Sequence, residues 1–160
     1  MPSYPLPLTP LFTRAERLCG PKPMTTLTAT GKERTTYAEW ADRTRRLAGA
    51  FDDLGISEDG RVATFARNTA NHLELYFAAP CSGRVLQTLN IRLFPEQISY
   101  IVDHAEDEII FADRSLVATL WPLVDGFSSV RHIVVMDDGA GDVPDDDRVL
   151  QYEELLADAE

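Results

Sequence analysis

Between Arg61 and Met136 short apolar runs alternate with amphipathic ones, and this beat constrains the fold more than any other feature. Arg61–Ala66, Arg84–Leu89, Glu108–Ala112 and Arg131–Met136 read as strands. Between them, Thr69–Cys81, Phe94–Ala105 and Ser115–Val124 carry apolar residues at helical spacing. Ile109-Ile110-Phe111 and Ile133-Val134-Val135-Met136 are continuous apolar runs, as expected of strands covered on both faces. Right-handed crossovers then give a parallel sheet with helices on both faces, an α/β fold. At 160 residues the chain is sized for a single domain, residues 1–160.

The preceding segment is organised differently. Pro2, Pro5, Pro7 and Pro10 favour an extended lead-in, and Leu11–Leu18 has room for two helical turns. Thr25–Thr30, a turn at Gly31-Lys32 and Arg34–Thr36 read as a small β-hairpin. Thr36 with Glu39 forms a capping box. Behind it, Tyr37, Trp40, Ala41, Thr44, Leu47, Ala48, Phe51 and Leu54 make one apolar stripe, closed by Gly55. On the Thr69–Cys81 helix, Leu73, Tyr76, Phe77 and Pro80 read as the inward face. Residues 137–149 read as a solvated acidic loop, and Leu150–Ala159 as a short amphipathic helix.

Of the net charge of −11, the segment Asp137–Glu160 carries −9, from seven Asp and three Glu against one Arg. The remaining body, with 14 basic and 16 acidic side chains, is near neutral and has no basic stripe, which argues against nucleic acid as a partner. No apolar run approaches the about 20 residues of a transmembrane helix. The N-terminal residues lack the basic and apolar regions of a signal peptide, so the expectation is a cytoplasmic protein. Cys19 and Cys81 are far apart in sequence, form no C-x-x-C pair and read as buried thiols.

Motifs that would carry chemistry fail one by one. Gly31-Lys32 is followed by Glu33 and lacks the upstream glycine of a Walker A loop. Gly139-Ala140-Gly141 follows a strand, but Pro144 stands where a dinucleotide fingerprint needs its third glycine, and neighbouring aspartates would repel a pyrophosphate. An EF-hand register starting at Asp137 or Asp138 ends on Arg148 or Val149 instead of glutamate. His72, His104 and His132 have no metal-binding spacing, and Ser82 lies in Cys-Ser-Gly rather than G-x-S-x-G. The first core strand ends in Ala66-Arg67-Asn68, without the acidic pair of a phosphate-receiving α/β domain. No residue is assigned a catalytic, cofactor-binding or metal-binding role.

Four stretches carry a resemblance: Arg61–Asn68, His72–Ala78, Leu89-Asn90-Ile91-Arg92-Leu93-Phe94-Pro95-Glu96-Gln97 and Tyr100–Asp107. Together with Thr36-Tyr37-Ala38-Glu39-Trp40 and its helix, they resemble the N-terminal part of the AMP-forming acyl-CoA synthetases, most of all the medium- and long-chain fatty-acid CoA ligases. The likeness runs from about residue 8 to 157, and Asn90–Gln97 is its most specific piece.

The resemblance implies adenylation of a fatty acid by ATP, with magnesium on the phosphates, then thioester formation with coenzyme A. It also implies that this chain is a fragment. The family's Ser/Thr/Gly-rich phosphate loop, its Tyr-Gly-x-Thr-Glu segment, its ribose-binding aspartate and its C-terminal lysine would all lie beyond Glu160. The isolated chain is therefore expected to be inactive and to have the rest of a ligase as its partner, with a homodimer possible. The alternative is a stand-alone interaction or dimerisation module derived from the same fold.

Overall fold

The computed structural model describes residues 7–28 and 31–159. Helix α1 (Thr9–Cys19) leads into a hairpin of β1 (Pro23–Thr28) and β2 (Gly31–Thr36). The elements α2 (Tyr37–Asp53), β3 (Arg61–Phe65), α3 (Ala70–Cys81), β4 (Val85–Thr88), α4 (Pro95–Ala105), β5 (Asp107–Asp113), α5 (Arg114–Val124) and β6 (His132–Met136) follow. The described chain ends with β7 (Val149–Gln151) and α6 (Tyr152–Asp158).

Strands β3 to β7 form one five-stranded sheet in the order β4-β3-β5-β6-β7, with every pair parallel. Alternate residues of each strand point to opposite faces. Val62, Ile109, Phe111, Val134 and Met136 meet Leu47 and Phe51 of α2, Leu75, Ala78 and Ala79 of α3, and Tyr152 and Leu156 of α6. Ala63, Phe65, Ile110, Ala112, Ile133 and Val135 meet Ile98 and Val102 of α4, and Val117, Leu120 and Val124 of α5. The continuous apolar runs thus serve two cores at once, as their composition requires. Outside the first core, α1 docks Phe12 on Trp40 and Phe77, with ring centroids 5.0 and 6.0 Å away.

The capping box at Thr36 is present: Glu39 N–H donates to Thr36 Oγ1 at 3.2 Å, and Thr36 N–H donates to the Glu39 carboxylate at 2.7 Å. Gly55 has φ +63°, the left-handed turn that ends the α2 segment.

Several expectations need correction. Pro10 lies in the first turn of α1, where its missing N–H costs nothing, so the helix begins before Leu11. Gly31 and Lys32 belong to β2 rather than to a turn, since Thr28 pairs with Gly31. Ala29 and Thr30, read as strand residues, lie outside the described residues.

The inward face of α3 is broader than its apolar spacing shows: Leu73 and Phe77 pack against the Phe12 and Trp40 cluster, but Tyr76 does not turn inward. Tyr76 is exposed and Leu73 and Phe77 are half-buried, whereas His72, Glu74, Leu75, Ala78 and Ala79 are buried. Helix α3 is covered by the sheet, α2 and α1 together, so no single apolar stripe marks its core side. Pro80 sits inside its last turn.

Val149–Gln151, divided in the sequence reading between the acidic loop and a helix, is an edge strand paired to β6. At three residues it is too short for alternation to reveal. The acidic loop is exposed or half-buried throughout and folds back on the protein. Gly141 lies so close to Arg114 that an added Cβ would meet the Arg114 carbonyl at 2.8 Å. Asp146 accepts two hydrogen bonds from the Arg148 guanidinium and one from its backbone N–H. Both cysteines are half-buried rather than buried.

Candidate functional site

Strand β3 occupies the position where the chain changes direction. The crossover after it runs to β4 on one side, and the next strand, β5, pairs on its other side. In open parallel sheets the two connections diverge at such a point and leave a crevice beyond the carboxyl ends of the strands. Three segments converge there: Arg67-Asn68-Thr69 after β3, Asp113-Arg114-Ser115 at the end of β5, and Asp137-Asp138 after β6.

Asp113, 1% exposed, is the anchor of this edge. Its Oδ2 accepts the Arg67 backbone N–H at 2.7 Å, and the Arg67 guanidinium stands 3.8 Å away. Burial pushes the Asp113 carboxyl up, the Arg67 backbone N–H pulls it back, and the nearby Asp138 charge pushes it up again. Ser115 links the cluster. Its Oγ donates to Asp138 at 2.5 Å and accepts from Arg67 Nη1 at 2.6 Å, while its N–H donates to Asp138 at 3.0 Å.

His72 closes the floor beneath. Its Nδ1 lies 2.9 Å from the Arg67 carbonyl, which can only accept. The proton is therefore on Nδ1, and Nε2, 2.9 Å from Thr64 Oγ1, accepts from that hydroxyl. Burial holds the imidazole below its usual pKa, against the Arg67 carbonyl, so the neutral ring fits the pattern. Thr69 caps α3 by accepting the His72 N–H at 3.2 Å.

The crevice opens on two cavities beside the hairpin. One, of about 380 Å³, is lined by Leu27, Thr28, Arg67, Asn68, Ser115 and Asp138. The other, of about 480 Å³, lies between β1 and α3, among Met24, Leu27, Asn68, His72, Leu73 and Tyr76. The arrangement can present hydroxyl, amide and guanidinium groups beside an apolar wall. Ser115 Oγ is held between the Asp138 carboxylate and the Arg67 guanidinium, and His72 is engaged by Thr64 and a backbone carbonyl. Among the described residues, no His, Cys, Asp and Glu group has the geometry to hold a metal ion.

A second polar cluster pins α6. Glu74, 1% exposed, accepts from Arg43 Nε at 2.8 Å and from the Tyr152 hydroxyl at 2.5 Å. Arg43 reaches on to Glu153 with two further bonds of 2.8 Å. Burial raises the Glu74 carboxyl, with Arg43 opposing, and raises Tyr152 well above its ordinary value.

The other residues weighed from sequence lie apart on separate elements. His104 is exposed and stacks on Tyr100 at 5.4 Å, and His132 opens β6 half-buried. Ser82 donates to the Ala78 carbonyl at 2.7 Å, closing α3. Sequence reasoning missed the grouping of Arg67, Asp113, Ser115 and Asp138. The available signal was a polar residue directly after each of three consecutive parallel strands.

The strand order defines an open, parallel α/β domain. Residues 13–157 match the family described as AMP-binding enzyme. A long-chain-fatty-acid–CoA ligase of Thermus thermophilus is 42% identical over 146 residues, covering 91% of this chain and 26% of that protein. A 3-methylmercaptopropionyl-CoA ligase of Ruegeria pomeroyi is 42% identical over 137 residues, 82% of this chain and 25% of that one. The fold recurs in a benzoate CoA ligase of Burkholderia xenovorans, with a TM-score of 0.77 at 22% identity over 97% of this chain and 29% of that chain. The chain belongs to the AMP-binding enzyme family. It spans about a quarter of the length of these curated relatives, and within them it corresponds to the N-terminal region.

Proposed function

We propose that this chain is the N-terminal part of a fatty-acid–CoA ligase, inert by itself. The parent would adenylate a fatty acid with ATP and magnesium and pass the acyl group to coenzyme A. The observation that carries this reading is the 42% identity to the Thermus thermophilus long-chain ligase along nearly the whole chain. The equal identity of a 3-methylmercaptopropionyl-CoA ligase makes the carboxylic acid the firmer part of the substrate and the long alkyl chain the finer claim.

The residues at the carboxyl edge do not fit ATP on their own. Among the described residues Arg67 is the only cation lining either crevice cavity, and it already faces Asp113 and Asp138. A triphosphate brought there would meet more negative charge than positive. No catalytic step is therefore assigned to any residue of this chain. Its part is to supply the sheet, the crevice floor and one apolar wall, with the rest of the ligase as partner. We place the parent in the cytoplasm, where ATP and coenzyme A are at hand.

The test is fatty-acid-dependent exchange of pyrophosphate into ATP, measured on the 160-residue chain and on a ligase that contains it. The larger protein is expected to exchange and the chain alone to give only background. Exchange by the chain alone overturns its inertness, and a folded larger protein that activates no carboxylic acid overturns the ligase reading.

A further inference from the structure

Helix α1 uses one face to dock and leaves a differently built face outward. Phe12 is buried, and Ala15 packs partly buried beside it, on the inner side. Leu11 and Leu18 are each 58% exposed, and Leu8, just before the helix, is 38% exposed. At about 100° per residue, Leu11 and Leu18 lie within about 20° of each other and Arg14 within about 60° of both. Arg17 extends the same side, and Arg14, Arg17 and Leu18 line a shallow groove of about 790 Å³ with Pro7 and Pro10.

The charge on this face is unspent. Glu16, the one acid of α1, is paired with Arg45 of α2. Arg14, Arg17 and the neighbouring Lys22 are exposed and have no ion-pair partner among the described residues. The acidic end of the chain is held elsewhere. Arg43 reaches α6 and Arg45 reaches α1. Two positions apart on α2, they diverge by about 200°, so α6 and α1 lie on opposite sides of that helix.

We infer that the outer face of α1 is a contact for an anionic lipid surface. Leucines at the centre enter the headgroup region, and Arg14, Arg17 and Lys22 meet lipid phosphates beside them, as in interfacial amphipathic helices. Charge separation lets an overall acidic chain approach with α1 leading. A second copy of the chain is the poorer occupant, because a two-fold contact would set the same arginines against each other. No helix among the described residues is long and apolar enough to cross a membrane.

The test is co-sedimentation of the 160-residue chain with phosphatidylcholine vesicles, with and without 50% phosphatidylglycerol, at low salt. Binding is expected only with the anionic lipid and is lost at high salt. R14Q/R17Q should weaken it about 25-fold, at roughly fivefold per basic residue. L11S/L18S should weaken it by about tenfold or more, from the two lost apolar insertions. R92Q, which removes an exposed charge outside α1, should change it less than twofold. All these residues are exposed, so circular dichroism should be unchanged. Equal binding to neutral vesicles, no binding, or indifference to both double substitutions overturns the inference. So does a concentration-dependent dimer abolished by the same substitutions.

Discussion

Replacing Arg43 by methionine isolates the buried charge that pins α6. The Glu74 carboxylate is 1% exposed and has two partners, Arg43 and the Tyr152 hydroxyl. Removing the cation leaves a buried carboxylate with one neutral donor. Breaking a buried pair in this way costs about 3–5 kcal/mol. Arg43 is itself 29% exposed and its second partner, Glu153, is 63% exposed, so a cost near about 3 kcal/mol is expected here. With a urea slope of about 2 kcal/mol/M, the unfolding midpoint falls by about 1.5 M at pH 8.

The sign of the pH dependence follows from Glu74. Burial already raises its carboxyl, and without Arg43 nothing cationic opposes that. A folded-state value above the unfolded one favours folding at low pH, and that advantage is lost as pH rises through the folded value. The deficit of R43M should therefore shrink between pH 8 and pH 5. The double variant R43M/E74Q leaves no buried charge in this cluster and should recover to within about 1 kcal/mol of the parent chain. Urea melts followed by Trp fluorescence at both pH values decide it. A deficit independent of pH, or a double variant as unstable as R43M, would refute the account of this cluster.

Three further perturbations probe other levels of the fold. Asp107 is fully buried at the start of β5, and burial pushes its carboxyl up to about 7 against the pull of Arg61. With its amide turned so that the nitrogen faces Asp107, Gln87 would donate to both carboxylate oxygens, at 2.5 and 2.7 Å. Its raised value favours folding below about pH 4, and this is lost as pH climbs through 7; D107N should gain about 1 kcal/mol or more over the parent at pH 8 and none at pH 4. Thr36→Ala removes the α2 cap and should cost about 1 kcal/mol, read as a midpoint shift in urea. Phe111→Ala, emptying a site shared by Phe51 and Tyr152 at ring distances of 5.9 and 6.0 Å, should cost about 3–5 kcal/mol by the same measurement.

The parallel sheet was legible because β5 and β6 are buried on both faces and say so in uninterrupted apolar runs. The capping box and stripe of α2 were legible because that helix has one wet side. Helix α3 misled because three neighbours cover it, and periodicity reports exposure to water, not contact with a particular partner. Its buried His72 and Glu74 look like surface residues until Thr64, Arg43 and Tyr152 satisfy them. The crevice was hidden for a related reason. Asp113 and Asp138 lie 46 and 71 positions beyond Arg67, and only the strand order β3-β5-β6 brings the three together. Strand β7 was invisible because three half-buried residues carry too few alternations to signal a strand.

The central claim, that this chain supplies the N-terminal part of an acyl-CoA ligase and lacks its chemistry, meets its most direct test in a hybrid. The matched 146-residue region of the Thermus thermophilus ligase would be replaced by the corresponding residues of this chain, and fatty acyl-CoA formation measured. An active hybrid, with the 160-residue chain alone giving no product, is the expected result. A folded hybrid that forms no thioester, or product from the chain alone, would contradict the claim.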